Sequence, residues 1–190
     1  MESALIVSDS EKDTDLFTTL LNAASCRQIV CQKSVESARK LVLKQDFDLV
    51  IVNAPLSDES GELFSRQAAS GGISQVILLV KSELYDSVSA ACEEDGVLTI
   101  SKPVDKTLFW SALSLAKSVQ NRIKRVQAEN TQLKQKIEDI RIIDRAKCIL
   151  ISGMKMSEQE AHRYIEKQAM DMRSSRRMVA EGILKRYEDF

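Results

Sequence analysis

The chain has 190 residues and a net charge of −1, and 44% of its residues are hydrophobic, which predicts one full domain with a smaller appendage. Four cysteines without CxxC spacing and a single histidine argue against a zinc finger, a disulfide framework or another metal site. No apolar run approaches the roughly 18–20 residues of a membrane helix, and the first residues lack the basic start of a secretory signal, so we expect a cytoplasmic protein with no membrane partner.

The charge is divided unevenly along the chain. Residues 1–110 contain 10 basic and 17 acidic residues, a balance of −7, whereas residues 111–190 contain 17 basic and 11 acidic residues, a balance of +6. This division indicates that only the C-terminal part meets a polyanion. An uneven distribution by chance is the alternative interpretation.

The first part of the chain alternates short apolar runs with helical periods. Such runs are typical of strands that are buried on both faces of a parallel sheet. Five runs alternating with five helical segments predict a doubly wound α/β fold with a five-stranded parallel sheet, whose ligands bind at the carboxyl ends of the strands. The five runs lie at residues 4–9, 27–31, 48–53, 75–80 and 97–101.

The residues that follow these runs resemble those of the receiver domain of bacterial two-component response regulators. Receivers have two acidic residues after strand one, a phospho-accepting aspartate after strand three, a Thr or Ser after strand four and a Lys-Pro pair after strand five. Here Asp9 matches the second acidic position, and Lys102 with Pro103 matches the Lys-Pro pair. The resemblance implies a receiver-like domain over residues 1–112 and a place in a two-component system.

Three positions of the receiver pattern differ in this chain. Ser8 stands at the first acidic position, Asn53 at the phospho-acceptor and Val80 at the hydroxyl position. Because an asparagine cannot form an acyl phosphate and one acidic residue is a poor Mg²⁺ site, we expect a degenerate receiver that is not phosphorylated at the usual place and that serves a protein partner or another signal. Lys102 is expected to hydrogen-bond to the Asn53 amide or to Asp9. A flavodoxin-like domain unrelated to signalling is the alternative.

Residues 113–142 contain neither proline nor glycine, and their apolar residues recur at intervals of three and four. This period predicts a coiled-coil linker helix and a parallel homodimer, with one asparagine at an a position fixing the register. An amphipathic helix packed on its own domain is the alternative. The predicted seam starts at Ala116 and continues through Val119, Ile123, Val126, Asn130, Leu133, Ile137 and Ile140.

Four motifs follow in residues 143–190. They are Ala-Lys-Cys-Ile-Leu at 146–150, Ser-Glu-Gln-Glu-Ala at 157–161, Ala-Met at 169–170 and Val-Ala-Glu-Gly-Ile at 179–183. Their order and spacing are similar to the signature of the ANTAR domain, a small three-helix RNA-binding domain of bacterial antitermination regulators. Cys148 and His162 stand where the family usually has glycine and tyrosine. The resemblance implies an ANTAR domain over residues 143–190.

Helix signals agree with three helices in this segment. Ser157 and Glu160 form a capping-box pattern at the start of the second helix, and Ser174 or Ser175 can cap the third. The expected buried residues are Ala161, Tyr164, Ile165, Ala169 and Met172 in the second helix and Val179, Ala180, Ile183, Leu184 and Tyr187 in the third.

The remaining surface of the segment is basic, and basic side chains can bind phosphates or stack on unpaired bases. A solvated helix charge is the alternative for each of them, and capping alone would explain the serine and glutamate of the family motif. The candidate RNA-binding residues are Arg145, Lys147, Ser157, Glu158, Arg173, Arg176 and Arg177.

The order of receiver-like domain, coiled coil and ANTAR domain resembles that of antitermination response regulators. The resemblance implies a dimer that binds paired stem-loops in a nascent leader RNA and prevents a terminator from forming. We expect no enzymatic activity and no cofactor. A DNA-binding transcriptional response regulator and a protein-interaction scaffold are the alternatives.

Overall fold

The computed structural model describes residues 1–188 and divides into two compact units, Met1–Arg125 and Val126–Phe190. The first unit contains a five-stranded, fully parallel sheet in the order β2-β1-β3-β4-β5. This order and the flanking helices confirm the predicted doubly wound fold. The strands are β1 (Ser3–Val7), β2 (Gln28–Gln32), β3 (Leu49–Asn53), β4 (Gln75–Lys81) and β5 (Leu98–Lys102).

Helices cover both faces of the sheet, because successive residues of each strand point to opposite sides. Leu5 and Val7 pack with the helices α2, α3 and α4, while Ala4 and Ile6 pack with α1 and α5. The helices are α1 (Glu11–Ala23), α2 (Val35–Val42), α3 (Glu62–Ser70), α4 (Tyr85–Glu93) and α5 (Lys106–Met154), and a 3₁₀ turn at Ser82–Leu84 precedes α4.

The helix α5 is one continuous element, which includes the last helix of the first unit, the predicted linker helix and the first helix of the C-terminal segment. It begins at Lys106, where the Asp105 carboxylate accepts hydrogen bonds from the backbone N–H groups of Thr107 and Leu108. Ala116 is fully buried with Phe109 in the core of the first unit. The predicted seam is therefore wrong at Ala116, because the domain's own core uses that face of the helix.

The second unit is a three-helix bundle, as predicted. It consists of the end of α5 with α6 (Glu158–Asp171) and α7 (Arg176–Glu188), and the Ser175 hydroxyl caps α7 by accepting from the Met178 N–H at 3.2 Å. Met172 is 65% exposed because α6 ends one residue before it, and Tyr187 is 42% exposed, so both core predictions were wrong. The core comprises Ala146, Leu150, Ala161, Ile165, Ala169, Val179, Ala180, Ile183 and Leu184. No helix within residues 1–188 has the length and apolar character needed to cross a bilayer.

Candidate functional site

Internal hydrogen bonds occupy the position of the phospho-acceptor at the carboxyl ends of the strands. The Asn53 side chain is buried, and its Nδ2 donates to Ser8 Oγ and to Asp13 Oδ2, both at 3.0 Å. Asp13 lies in the first turn of α1, whose N-terminus Ser10 caps. Asp13 was not predicted as a partner of Asn53, because only residues directly after the strands were treated as candidates. The acidic residues in the first turn of α1 are the sequence feature that could have indicated this partner.

The lysine at the end of β5 has a different partner from the expected one. Lys102 Nζ donates to the carbonyl oxygen of Ala54 at 2.5 Å, rather than to the Asn53 amide or to Asp9. Burial lowers the pKa of Lys102, and the nearby Asp13 and Asp9 carboxylates oppose this effect. The lysine therefore holds the start of the loop after β3 through the residue next to the phospho-acceptor position.

We call the side chains of Ser8, Asp9, Asp13, Asn53 and Lys102, at the carboxyl ends of the strands, the receiver pocket. Its chemistry differs from that of a phosphorylated receiver. Asp9 is exposed, and Val80 is buried in β4, where it offers no hydroxyl. A carboxamide stands where an acyl phosphate would need a carboxylate nucleophile. Among the described residues, no group of three or more His, Cys, Asp or Glu side chains is placed to hold a metal ion.

In the second unit, Lys147 joins α5 to the start of α6. Its side chain is only 16% exposed, and its Nζ lies 2.8 Å from Asp144 Oδ1 and 3.0 Å from Glu158 Oε1. Hydrogen bonds to these two carboxylates raise the pKa of Lys147. Lys147 and Glu158 were both predicted to contact RNA, but in the structure they neutralise each other.

Arg177 makes a similar connection from α7 to α5. Its Nη1 lies 2.7 Å from Asp139 Oδ1, and its Nε lies 2.8 Å from Glu181 Oε1. Both carboxylates raise the pKa of Arg177. The neighbouring Arg176 is more exposed and pairs with Glu166 at 3.1 Å. Both arginines thus make ion pairs within the chain.

Ser157 has a structural position at the start of α6. Its hydroxyl accepts from the Glu160 N–H at 3.3 Å, and Glu160 Oε2 accepts from the Ser157 N–H at 2.8 Å, which confirms the capping box. The hydrogen bonds from Ser157 lower the pKa of Glu160. Of the other predicted RNA-binding residues, Arg145 is exposed on α5, and Arg173 is exposed in the α6–α7 turn.

A cleft between the end of α5 and the outer face of α6 gathers basic side chains. Arg163 and Lys167 are one helical turn apart on the face of α6 opposite the core, and both are exposed. Neither makes an ion pair within residues 1–188. Lys155 adds a third cation from the connecting turn, where its φ is 56°, and the half-buried Tyr164 adds an aromatic ring. We call Lys155, Arg163, Tyr164 and Lys167 the basic cleft.

The basic cleft contains few competing groups. Met154 and Met156 supply apolar walls, and the one carboxylate in the lining, that of Glu160, is engaged by Ser157. Cations with an adjacent aromatic ring can bind a phosphate backbone and stack a base. These residues were not among the RNA-binding candidates predicted from the sequence. The sequence feature that could have indicated them is the i, i+4 spacing of Arg163 and Lys167, on the side of α6 opposite its apolar residues.

Comparison with known proteins identifies the second unit. The sequence profile of the ANTAR domain matches residues 131–184. These residues are an ANTAR domain. The match begins inside α5, ahead of the predicted boundary at residue 143.

Relatives extend the similarity into the N-terminal unit. Over 137 residues the chain is 28% identical to the transcriptional regulatory protein PdtaR of Mycobacterium tuberculosis, covering 72% of this chain and 67% of the relative. It is 23% identical over 137 residues to the aliphatic amidase regulator of Pseudomonas aeruginosa, covering 72% and 70%. The matched stretch is longer than the second unit, so the similarity reaches into the first unit.

Solved structures agree on the fold of the N-terminal unit. The receiver domain of an HD domain-containing protein from Pseudomonas fluorescens superposes with a TM-score of 0.57 at 21% identity, covering 65% of this chain and 92% of that one. A two-component transcriptional regulator from Clostridium phytofermentans gives a TM-score of 0.59 at 17% identity, covering 65% and 98%. The chain therefore combines a receiver fold with an ANTAR domain.

Proposed function

We propose that this protein is an antitermination regulator whose dimer binds paired stem-loops in a nascent leader RNA and so prevents a terminator hairpin from forming. The observation that carries the proposal is the basic cleft, in which Arg163 and Lys167 have no internal carboxylate partner in the described chain. By contrast, Lys147 and Arg177 form ion pairs that connect the helices of the bundle. In the cleft, several cations lie together with an aromatic ring and remain available to phosphates.

The composition of the cleft favours RNA loops over duplex DNA. Sequence-specific RNA recognition uses unpaired bases that stack on aromatic rings or arginine planes while cations bind the backbone. Tyr164 lines the same cleft as Arg163 and Lys167, so it offers such a surface beside the cations. Bases inside a duplex are stacked on each other and cannot use it.

The predicted seam supports a dimer. Four of its side chains are about half exposed within one chain, namely Val126 at 50%, Leu133 at 57%, Ile137 at 52% and Ile140 at 58%. Full burial of such a side chain contributes roughly 1.5–3 kcal/mol, so several layers favour association of two helices. Two ANTAR domains joined in this way would bind two stem-loops with the advantage of effective concentration.

The receiver-like domain would act without phosphorylation at Asn53. Its amide is already bonded to Ser8 and Asp13, and it has no carboxylate to form an acyl phosphate. The seam supplies dimerisation without that input. We therefore propose a constitutive dimer, with the receiver-like domain open to a protein partner or another signal.

Competition binding tests this function. Untreated protein is titrated into a labelled leader RNA with two stem-loops, and unlabelled competitors are a single stem-loop, an unpaired RNA of equal length and a duplex DNA. We expect the two-loop RNA to compete best. The duplex DNA should compete only as strongly as nonspecific binding to its phosphates allows. Equal competition by DNA and RNA would favour the DNA-binding alternative, and crosslinking of bound RNA in cells would then recover no leader transcripts.

A further inference from the structure

An open groove lies between α2 and α3 on the surface of the receiver-like domain. Phe64, which is buried in the domain core, lines it together with the half-buried Val42 and Ala68. Leu43, at the end of α2, also lines it and is 86% exposed, more than any other large apolar side chain that the structure describes. Apolar surface that is exposed next to a groove is typical of a site where another molecule binds.

The dimensions of the groove suit a docked helix better than a small molecule. Its volume of about 230 Å³ is below the roughly 300–1,000 Å³ of small-molecule pockets. The eight residues of α2 make the groove about 12 Å long, since an α-helix rises roughly 1.5 Å per residue. Two turns of a partner helix have about this length, and apolar side chains three and four residues apart on it can enter such a groove.

Arg39 holds the walls of the groove together. Its Cζ lies 5.7 Å from the centroid of the Phe64 ring, its Nη2 lies 2.7 Å from Glu59 Oε1, and its Nη1 donates to Gln67 Oε1. These contacts connect α2 to α3 and to the loop before α3. A partner would therefore meet a surface that is already ordered, which lowers the entropic cost of binding.

The α2 segment is basic in an otherwise acidic domain. Residues 35–44 contain three basic residues and one acidic residue, a balance of +2. The rest of residues 1–110 contains seven basic and sixteen acidic residues, a balance of −9. A negatively charged partner is therefore attracted to this helix and repelled by the remainder of the domain.

The positive charges of α2 lie around the exposed leucine. Arg39 and Lys40 precede Leu43 by four and three positions, so both are beside it on the helix surface, and the exposed Lys44 follows it directly. Lys40 pairs with Glu36, but both side chains are exposed and such a pair is weak. Carboxylates of a partner can therefore approach these cations while its apolar side chains cover Leu43.

A protein segment fits this surface better than a nucleic acid does. The ring of Phe64 is 1% exposed, so it offers no face on which a base could stack. The acidic remainder of the domain would repel a long phosphate backbone. A short segment confined to the groove would meet only the basic helix and would bury Leu43.

We propose that the groove between α2 and α3 binds an acidic amphipathic helix of a partner protein. The apolar side chains of that helix cover Leu43 and Val42, and its carboxylates meet Lys40 and Lys44. The inference depends neither on RNA binding nor on the dimer of the proposed function. It gives the receiver-like domain a protein input that needs no phosphorylation.

Selection from a displayed peptide library tests the groove. Overlapping segments of about 20 residues from the proteins of the source organism, long enough for a helix that spans the groove, are selected on the full chain. We expect the selected segments to be rich in Asp and Glu, with large apolar residues three and four positions apart. Their binding to the full chain should weaken as the salt concentration rises.

Titration of the selected segments against three variants locates their binding site. The dissociation constant should rise at least tenfold for Leu43→Glu and severalfold for Lys44→Glu. It should not change for Leu84→Glu, the matched control, because Leu84 is half exposed on the same domain outside the groove. All three side chains are exposed, so the substitutions leave the core intact, and melting temperatures equal to that of the wild type confirm this.

Three outcomes would overturn the inference. They are a selection that enriches no segment, enriched segments that are basic, and acidic segments that bind Leu43→Glu as tightly as the wild type. Weaker RNA binding by Lys44→Glu, with peptide binding unchanged, would assign the basic helix to nucleic acid instead. Leu43→Glu should bind the two-loop RNA like the wild type, so a failure of this inference is distinguishable from a failure of the proposed function.

Discussion

The receiver pocket and the basic cleft use polar side chains in opposite ways. At the end of β3, the amide nitrogen of Asn53 donates to Ser8 and Asp13, and Lys102 donates to a backbone carbonyl, while Asn53 Oδ1 is buried without a hydrogen-bond partner. In the cleft, Arg163 and Lys167 point outward without a partner in the described chain. Residue type alone therefore does not mark a binding site. For these donors, what matters is whether the fold has already engaged their N–H groups.

The same distinction divides the basic residues within the ANTAR domain. Lys147 and Arg177 each bridge two carboxylates and connect helices, as Lys102 connects a strand to a loop. A ligand would have to displace these partners to use the charge. The cleft residues can meet a phosphate at no such cost.

The largest expected effect comes from separating the two copies of the cleft. The double substitution Leu133→Glu and Ile137→Glu should give monomers and weaken binding of a two-loop RNA by about 100-fold, because the second loop then loses its effective-concentration advantage. Binding of a single stem-loop should change little. Sedimentation and fluorescence anisotropy on the same samples measure both quantities.

A control for the seam comes from the same stretch of helix. Gln132→Glu and Gln127→Glu add the same charge at exposed positions off the predicted seam. These substitutions should leave both the dimer and the two-loop affinity unchanged. A comparable loss of two-loop binding in this control would mean that added negative charge, and not monomer formation, explains the seam variant.

Removing one lysine at a time separates a charge that stabilises the ANTAR domain from a charge that binds RNA. Lys147→Met should lower the stability of the bundle by about 1 kcal/mol, because Asp144 and Glu158 lose their shared partner. Lys167→Met in the cleft should leave the melting temperature unchanged and weaken RNA binding severalfold. Thermal denaturation and RNA titration at a temperature where both variants are folded separate the two effects. If the Lys147→Met protein were as stable as the wild type but bound RNA poorly, Lys147 would be an RNA-binding residue and not a structural one.

The buried carboxylate of Asp48, which is bonded to the Glu2 N–H and to Lys124, predicts a pH dependence of stability. Burial alone would raise the pKa of Asp48, but hydrogen bonds from the Glu2 N–H at 2.6 Å and from Lys124 outweigh it and hold the pKa below its ordinary value. The stabilisation is therefore fully present above the unfolded-state pKa, and it is lost as the pH falls through the folded pKa.

Urea denaturation of Asp48→Asn at several pH values measures this contribution. The variant should be less stable than the wild type at neutral pH, and the difference should shrink in acid. Asp46→Asn changes an exposed neighbour and should show neither effect. A stability difference that does not vary with pH would show that the carboxylate charge is not responsible.

The smallest expected effect is at the phospho-acceptor position. Asn53→Asp restores a carboxylate there, but Ser8 and Val80 still leave the acidic pair and the hydroxyl incomplete. Incubation with acetyl phosphate should give no stoichiometric label in the wild type or in the variant, and RNA affinity should not respond. Stoichiometric labelling of the wild type at Asp9 would contradict the account of the receiver pocket.

The sequence predicted the features that depend on local patterns. Five apolar runs became the five strands, and the spacing of Ser157 and Glu160 became a capping box. These patterns are short and repeat a known period, so they can be recognised without knowledge of distant contacts. The same reasoning could not show that Ala116 belongs to the domain core.

Tertiary pairing accounts for what the sequence did not reveal at the sites. Asp13 meets Asn53 across 40 positions of sequence, and Arg177 meets Asp139 across 38. A charge pattern contains no information on such partners. The seven predicted RNA-binding residues stay predictions, and the structure adds the basic cleft as the surface to test first.

Removal of the cleft charges tests the central claim most directly. The double substitution Arg163→Gln and Lys167→Gln is compared with Lys12→Gln and Lys44→Gln, which remove the same charge from exposed positions of the receiver-like domain. Affinity for the two-loop RNA is measured against salt concentration without phosphodonor. We expect at least a tenfold loss of affinity for the cleft variant and a salt slope reduced by about 1.4–1.8, as for two lost phosphate contacts, with the control unchanged. Wild-type affinity and slope in the cleft variant, with the dimer intact, would contradict it.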